Sequence, residues 1–136
     1  MDQSIILLTY KGKVLLMHKD YILATLDQNP WHFISGAKEK DESFEETIQR
    51  EVEKETSIQL KTIELVEHDD NKYFYHTHLT DDNVNNIVRR DGKILEFYSL
   101  KELGRLSLSL STKLLIARHK DLLGKMVAPS LPPRSH

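Results

Sequence analysis

The chain has 136 residues, 39% hydrophobic and 29% charged, the size and composition of one globular domain with a core of its own. It has no cysteine, which excludes a disulfide scaffold, a thiolate zinc site, an iron–sulfur cluster and a cysteine nucleophile, and fits a cytoplasmic protein. Nineteen Lys and Arg face 21 Asp and Glu, a formal charge of -2, so no basic excess points to a long nucleic acid as partner; no run nears the ~18 apolar residues of a membrane span.

In chain order, Ser4–Tyr10 and Val14–His18 are apolar runs around Lys11-Gly12-Lys13 and predict a β-hairpin. Asp20–Pro30 has no clear period, and Trp31–Ile34 reads as a short strand followed by a polar loop over Gly36–Glu42. Ser43-Phe-Glu-Glu46 is a capping box, and Phe44, Ile48 and Val52 recur on one helical face, so a helix runs to about Thr56. Thr62–Glu67 and Lys72–Leu79 predict strands joined at Asp69-Asp70-Asn71. Thr80–Gly92 is a polar loop long enough to suggest function, and Lys93–Leu100 a strand. Ser109 or Ser111 caps a last helix running to about Leu123 and ended by Gly124; the leucines at 103, 106, 108, 110, 114 and 115 read as its core packing. The expectation is an α+β fold with helices on a largely mixed or antiparallel sheet, one domain over 1–127, and a Pro-rich tail over 128–136 whose Arg134-Ser135-His136 reads as the stub of a tag.

The first helix carries an anomaly. With Phe44 at 0° and about 100° per residue, Ile48 lies near 40° and Val52 near 80°, while Glu55 falls at about 20° and Glu51 at about 340°. Both glutamates therefore sit in or beside the apolar stripe, and at i, i+4 they are neighbours that repel. Burial makes each carboxylate costly unless a cation stands with it. Two readings account for the pair: a hard divalent ion held between them, or exposed helix ends with snorkelling stems paired to Lys54 or Arg50.

Gly36, Glu42, Arg50, Glu51, Val52, Glu55 and Ile58 match the pattern G-x5-E-x7-R-E-U-x-E-E-x-G-U, so that residues 36–58 resemble the Nudix box of the MutT-like hydrolases. Trp31–Ala37 resembles the strand that precedes the box, and Glu96–Leu103 the late strand and turn before the final helix. The resemblance implies an α/β/α sandwich around a mixed sheet. It implies hydrolysis of a nucleoside diphosphate linked to another moiety, with Mg2+ or Mn2+ held by the helix glutamates. Carried over by position, Glu51 and Glu55 would be catalytic metal ligands, Glu51 also orienting or deprotonating the attacking water. Gly36 would offer its carbonyl to the metal, and Asp91 is the nearest candidate for a carboxylate from the late loop. Arg50 and Glu42 would support the site by pairing.

The chain departs from the pattern at Lys54, where the box has glutamate, and at Ser57, where it has glycine. Ser35 and Ala37 likewise replace the usual Pro and second Gly around Gly36. Lys54 either touches a substrate phosphate in place of one metal or marks a weakened site, which makes a Nudix-fold nucleotide-binding module the alternative function; an accessory RNA-binding domain is a weaker third. Arg89-Arg90, beside Asp91, is a candidate pair for phosphate contact by forked hydrogen bonds, Arg89 first, and Tyr21 is a candidate for stacking on a base. Trp31 reads as a packing residue, and His76 and His78 as a hydrogen-bonded pair rather than a metal chelate. The partners expected are a small nucleotide-type substrate and a second copy in a homodimer, a form common in the family.

Overall fold

The computed structural model describes residues 1–19, 30–121 and 123; the expectations for Tyr21, Gly124 and the tail over 128–136 lie outside them. The hairpin forms as β1 (Gln3–Tyr10) and β2 (Lys13–Lys19). Its turn residues Lys11 and Gly12 have φ of 46° and 78°, the positive pair that matches the twist of the flanking strands.

β1 organises the sheet. One edge takes β5 (Lys72–His78) in parallel, from Gln3 against Lys72 to Thr9 against His78. The other edge is shared: Thr9 and Tyr10 pair with β2, whereas Gln3–Ile6 pair with β3 (Ile34–Ala37). β2 then diverges and pairs along its length with β6 (Lys93–Ser99), and β4 (Glu64–His68) lies antiparallel on β5. The order is β4-β5-β1-β2-β6, with β3 beside β1 in the gap the diverging hairpin opens. Met17 bridges to His32 across the same gap.

Helices cover both faces. Ile5–Leu8 of β1 are all buried, as a strand covered on both sides requires. Ile6 and Leu8 pack with Ile48 and Val52 of α1 (Phe44–Thr56). Ile5 and Leu7 pack on the opposite face with Leu103 of the short α3 (Leu100–Leu103) and Leu115 of α4 (Leu110–Arg118). The architecture is the expected α/β/α sandwich on a mixed sheet.

Three local expectations are corrected, and one is met with a break. The strand expected at Trp31–Ile34 starts at Ile34 and continues through Gly36 and Ala37, because Ser4 and Gln3 of β1 offer them ladder partners. The loop Thr80–Gly92 contains a one-turn helix, α2 (Asp81–Asn85), closed by a capping box between Thr80 and Asn83. α4, capped by Ser109, runs to Arg118; after a turn at His119 helical residues resume at Lys120 and Asp121 and reach Leu123, as expected, where the Leu123 amide donates to the His119 carbonyl. Leu110 and Leu114, expected in the core, are 72% and 51% exposed, since Thr112 and Leu115 take the buried side of α4.

Candidate active site

The site is built where α1 meets β3. The Ser43 hydroxyl accepts from the Glu46 amide, and the Glu46 carboxylate accepts from the Ser43 amide, so the helix starts where its sequence signal lies. At the other end Ser57 adopts the left-handed conformation with φ 69° and caps the Glu53 carbonyl. A non-glycine residue pays there in steric strain, about 1–2 kcal/mol.

Between these caps α1 turns Glu55 and Glu51 inward. The Glu51 carboxylate packs against Gly36: a Cβ added there would lie 2.3 Å from Glu51 Cγ and 2.6 Å from Cδ. Position 36 therefore admits the Glu51 stem because it has no side chain. Glu51 Oε1 accepts from Arg50 Nη1 at 2.8 Å. Glu55 is more deeply buried, with its side chain 3% exposed. Its Oε1 accepts from Lys93 Nζ at 2.6 Å, and its buried Oε2 has no hydrogen-bond partner among the described residues.

Arg50 ties the preceding loop to the helix. Its Nε and Nη2 donate to the two Glu42 carboxylate oxygens at 2.6 and 2.9 Å, and Nη2 also reaches the Ala37 carbonyl at 3.2 Å. Glu42 further accepts from the Glu39 amide and the Thr47 hydroxyl. The Arg50 fork first, and the Glu39 amide second, pull the Glu42 carboxyl down to about 2.

The remaining candidates are placed as follows. Lys54 is exposed, and its side chain joins none of the ion pairs among the described residues. Arg89 is exposed, with its Nε donating to the Leu95 carbonyl at 3.3 Å. Asp91, expected to join the glutamates, is exposed in the turn before β6, and among the described residues no three His, Asp or Glu side chains gather into a metal-binding group. The turn ends at Gly92, with φ 77°, and the side chain it delivers to α1 is Lys93. Trp31 packs edge-on against Tyr98, with ring centroids 5.1 Å apart. His76 and His78 both bond to the buried Thr9 hydroxyl.

The site role of Lys93 and the helix-end contact of Arg90 lie outside the sequence reading. Lys93 was legible by the period of two: Leu95 and Phe97 pack in the α1-side core, which places Lys93 on the same, apolar face of β6. Arg90 donates through Nε to the Lys54 carbonyl at 2.6 Å, satisfying a terminal carbonyl of α1; no local pattern announces that contact.

The donor chemistry suits a hard divalent ion. Glu51 and Glu55 present carboxylate oxygens, one of them buried without a partner. Mg2+ typically takes one or two carboxylates and fills its remaining positions with water and phosphate oxygens, a demand that two glutamates match in kind. A six-stranded mixed sheet between helices, with a loop and helix that fold glutamates inward over a glycine, defines the class of Nudix-type domains. The NUDIX domain model matches residues 2–119, and the chain belongs to the Nudix family.

Solved structures agree on the fold. A MutT/Nudix family protein from Listeria innocua superposes with a TM-score of 0.70 at 15% identity, over 90% of this chain and 93% of that one. The NUDIX domain of Shewanella oneidensis NrtR, complexed with ADP-ribose, gives 0.63 at 16% identity, covering 90% and 88%. A structure from a study of MutT from Aliivibrio salmonicida and Vibrio cholerae gives 0.62 at 16%, covering 93% and 96%. Comparison with curated proteins gave no match.

Proposed function

We propose that the chain is a metal-dependent hydrolase of a nucleoside diphosphate linked to another moiety, with water attacking a phosphorus of the diphosphate. The observation that carries this reading is the buried Glu55 carboxylate with an unpartnered oxygen, on the helix that also folds Glu51 over Gly36. Glu51, Glu55 and the Gly36 carbonyl would hold Mg2+ or Mn2+. Such an ion supplies neutralisation of the diphosphate oxygens and activation of water.

The chain's own residues do the rest. Arg50 occupies Glu51 Oε1 and leaves Oε2 to orient the attacking water and accept its proton. The Arg50–Glu42 pair holds the loop over 37–42 against α1, which keeps Gly36 and Glu51 in contact. Lys54 and Arg89 are exposed cations near the ends of this loop–helix unit and of the turn before β6, available to the substrate's phosphates. Family membership and the ADP-ribose complex of the NrtR domain support a small nucleotide as the ligand class.

The test is a product assay with Mg2+ or Mn2+ on nucleoside triphosphates, nucleotide sugars, ADP-ribose, dinucleoside polyphosphates and NAD-type dinucleotides. Turnover that requires metal and falls on the order of 10²-fold or more in Glu51→Gln is expected. No turnover by the folded wild type on any compound would overturn the hydrolase reading.

A second reading has one specific observation behind it. Lys54 stands where the family's box carries a glutamate, and an ammonium is no metal ligand. A nucleotide-binding module with weakened catalysis follows if Lys54→Glu turns an inactive protein into a metal-dependent enzyme. Wild-type turnover little changed by Lys54→Glu removes that reading.

A further inference from the structure

A buried carboxylate must be matched by positive charge. Glu55 is 4% exposed, and the charge it meets inside the fold is not a metal ligand's partner from its own helix but an ammonium from β6. Lys93 Nζ lies 2.6 Å from Glu55 Oε1. The Lys93 side chain is 30% exposed, so the pair lies at the margin of the buried interior. Its placement is enforced by the sheet: Lys93 is the first residue of β6, set by Gly92 before it and by the core residues Leu95 and Phe97 after it on the same face.

We propose that Lys93 is a tethered countercation, which pairs with the buried Glu55 carboxylate in the metal-free protein and opposes the divalent ion that Glu55 receives. This rests on the reading that Glu51 and Glu55 hold such an ion. The carboxylate divides its work: Oε1 serves Lys93, and Oε2 stays open to the ion. Lys93 thereby lets α1 fold with two inward glutamates before any metal arrives. It also lowers the site's affinity for metal, since an ammonium beside a ligand repels a second cation through a partly desolvated medium.

The experiment compares wild type, Lys93→Gln, Lys93→Arg and Glu55→Gln for Mn2+ affinity, read from free Mn2+ by electron paramagnetic resonance, and for thermal unfolding with and without Mn2+. Lys93→Gln is expected to bind Mn2+ roughly tenfold or more tightly than wild type. It should melt lower than wild type in chelator and gain more from Mn2+, because stabilisation by a ligand rises with the logarithm of its affinity for the folded state. Lys93→Arg, which keeps the charge, should track wild type in both readouts. Equal Mn2+ affinity in wild type and Lys93→Gln, with weaker binding in Glu55→Gln, would overturn the role of Lys93 and leave the metal site standing. No Mn2+ binding by any of these proteins would overturn the metal site and the inference with it. Should Lys93→Gln fail to fold, titration of the wild type with Mg2+ while following the Lys93 Nζ resonance decides the matter. A saturable shift that Glu55→Gln abolishes supports the inference, and an unmoved resonance overturns it.

Discussion

Gly36 shows how much one missing side chain can do. It lies in β3 opposite Ser4, in ordinary strand backbone, so its value is space rather than conformational freedom. The space is filled by the Glu51 stem, at distances a methyl group would contest. Glu51 cannot simply swing away, because its side chain is 12% exposed and its Oε1 is held by Arg50. Gly36→Ala is therefore expected to cost about 1–3 kcal/mol of stability, the usual range for overpacking. Its larger effect falls on turnover: a carboxylate displaced by about 1 Å costs on the order of 10²-fold in rate. Urea unfolding alongside the product assay measures the two separately. A folded Gly36→Ala protein with wild-type turnover would remove Glu51 from the reacting centre.

At the scale of the element, α1 is fastened to the loop before it chiefly by the Arg50–Glu42 pair with its two matched forks, Glu39 lying farther from Arg50 at 3.8 Å. Glu42 accepts from Nε and Nη2 of Arg50 at once, and that geometry belongs to guanidinium alone. The pair sets a pH dependence. The Glu42 carboxyl stands at about 2 in the folded chain, below its ordinary value of 4.5. The folded state thus holds fewer protons than the unfolded one across the interval between them. The stability contributed by the pair is complete above the unfolded value and is lost as pH falls from about 5 toward 2. Unfolding by urea followed from pH 6 to pH 2 should show this loss in wild type and a flatter acid limb in Glu42→Gln. Arg50→Lys should resemble Glu42→Gln, since an ammonium does not reproduce the fork. Equal acid limbs in all three proteins would show that the pair carries no such linkage. The opposite end of α1 is fastened differently, by Arg90 reaching across to the Lys54 carbonyl beyond the strained Ser57 cap.

For the molecule as a whole, what could be read in advance was what short stretches encode. The Lys11-Gly12 turn, the Ser43–Glu46 capping box and the inward glutamates on the wheel each depend on residues a few positions apart. What could not be read depends on partners distant in sequence. β3 takes its start from the edge that β1 offers it, and position relative to the Glu96-Phe97 strand points to Asp91, whereas the contact of Lys93 with Glu55 depends on which face of β6 packs on α1. The layered architecture now makes a prediction that neither layer makes alone. Ile48 of α1 is fully buried on one face of the sheet, and Leu115 of α4 is buried on the other. Truncating either to alanine should cost about 2–5 kcal/mol. The consequences for the site should differ. Ile48 sits one turn before Glu51 and Val52 and holds α1 down on Ile6 and Leu8, so its loss lets the glutamates shift against Gly36. Leu115 supports the sheet from the opposite face, in the cluster with Ile5, Leu7 and Phe33. Turnover per folded molecule, measured well below the melting range of each variant, should fall in Ile48→Ala and stay near wild type in Leu115→Ala. Equal losses in both would mean that the rigidity of the whole sheet, rather than the seating of α1, holds Glu51 and Glu55 in place.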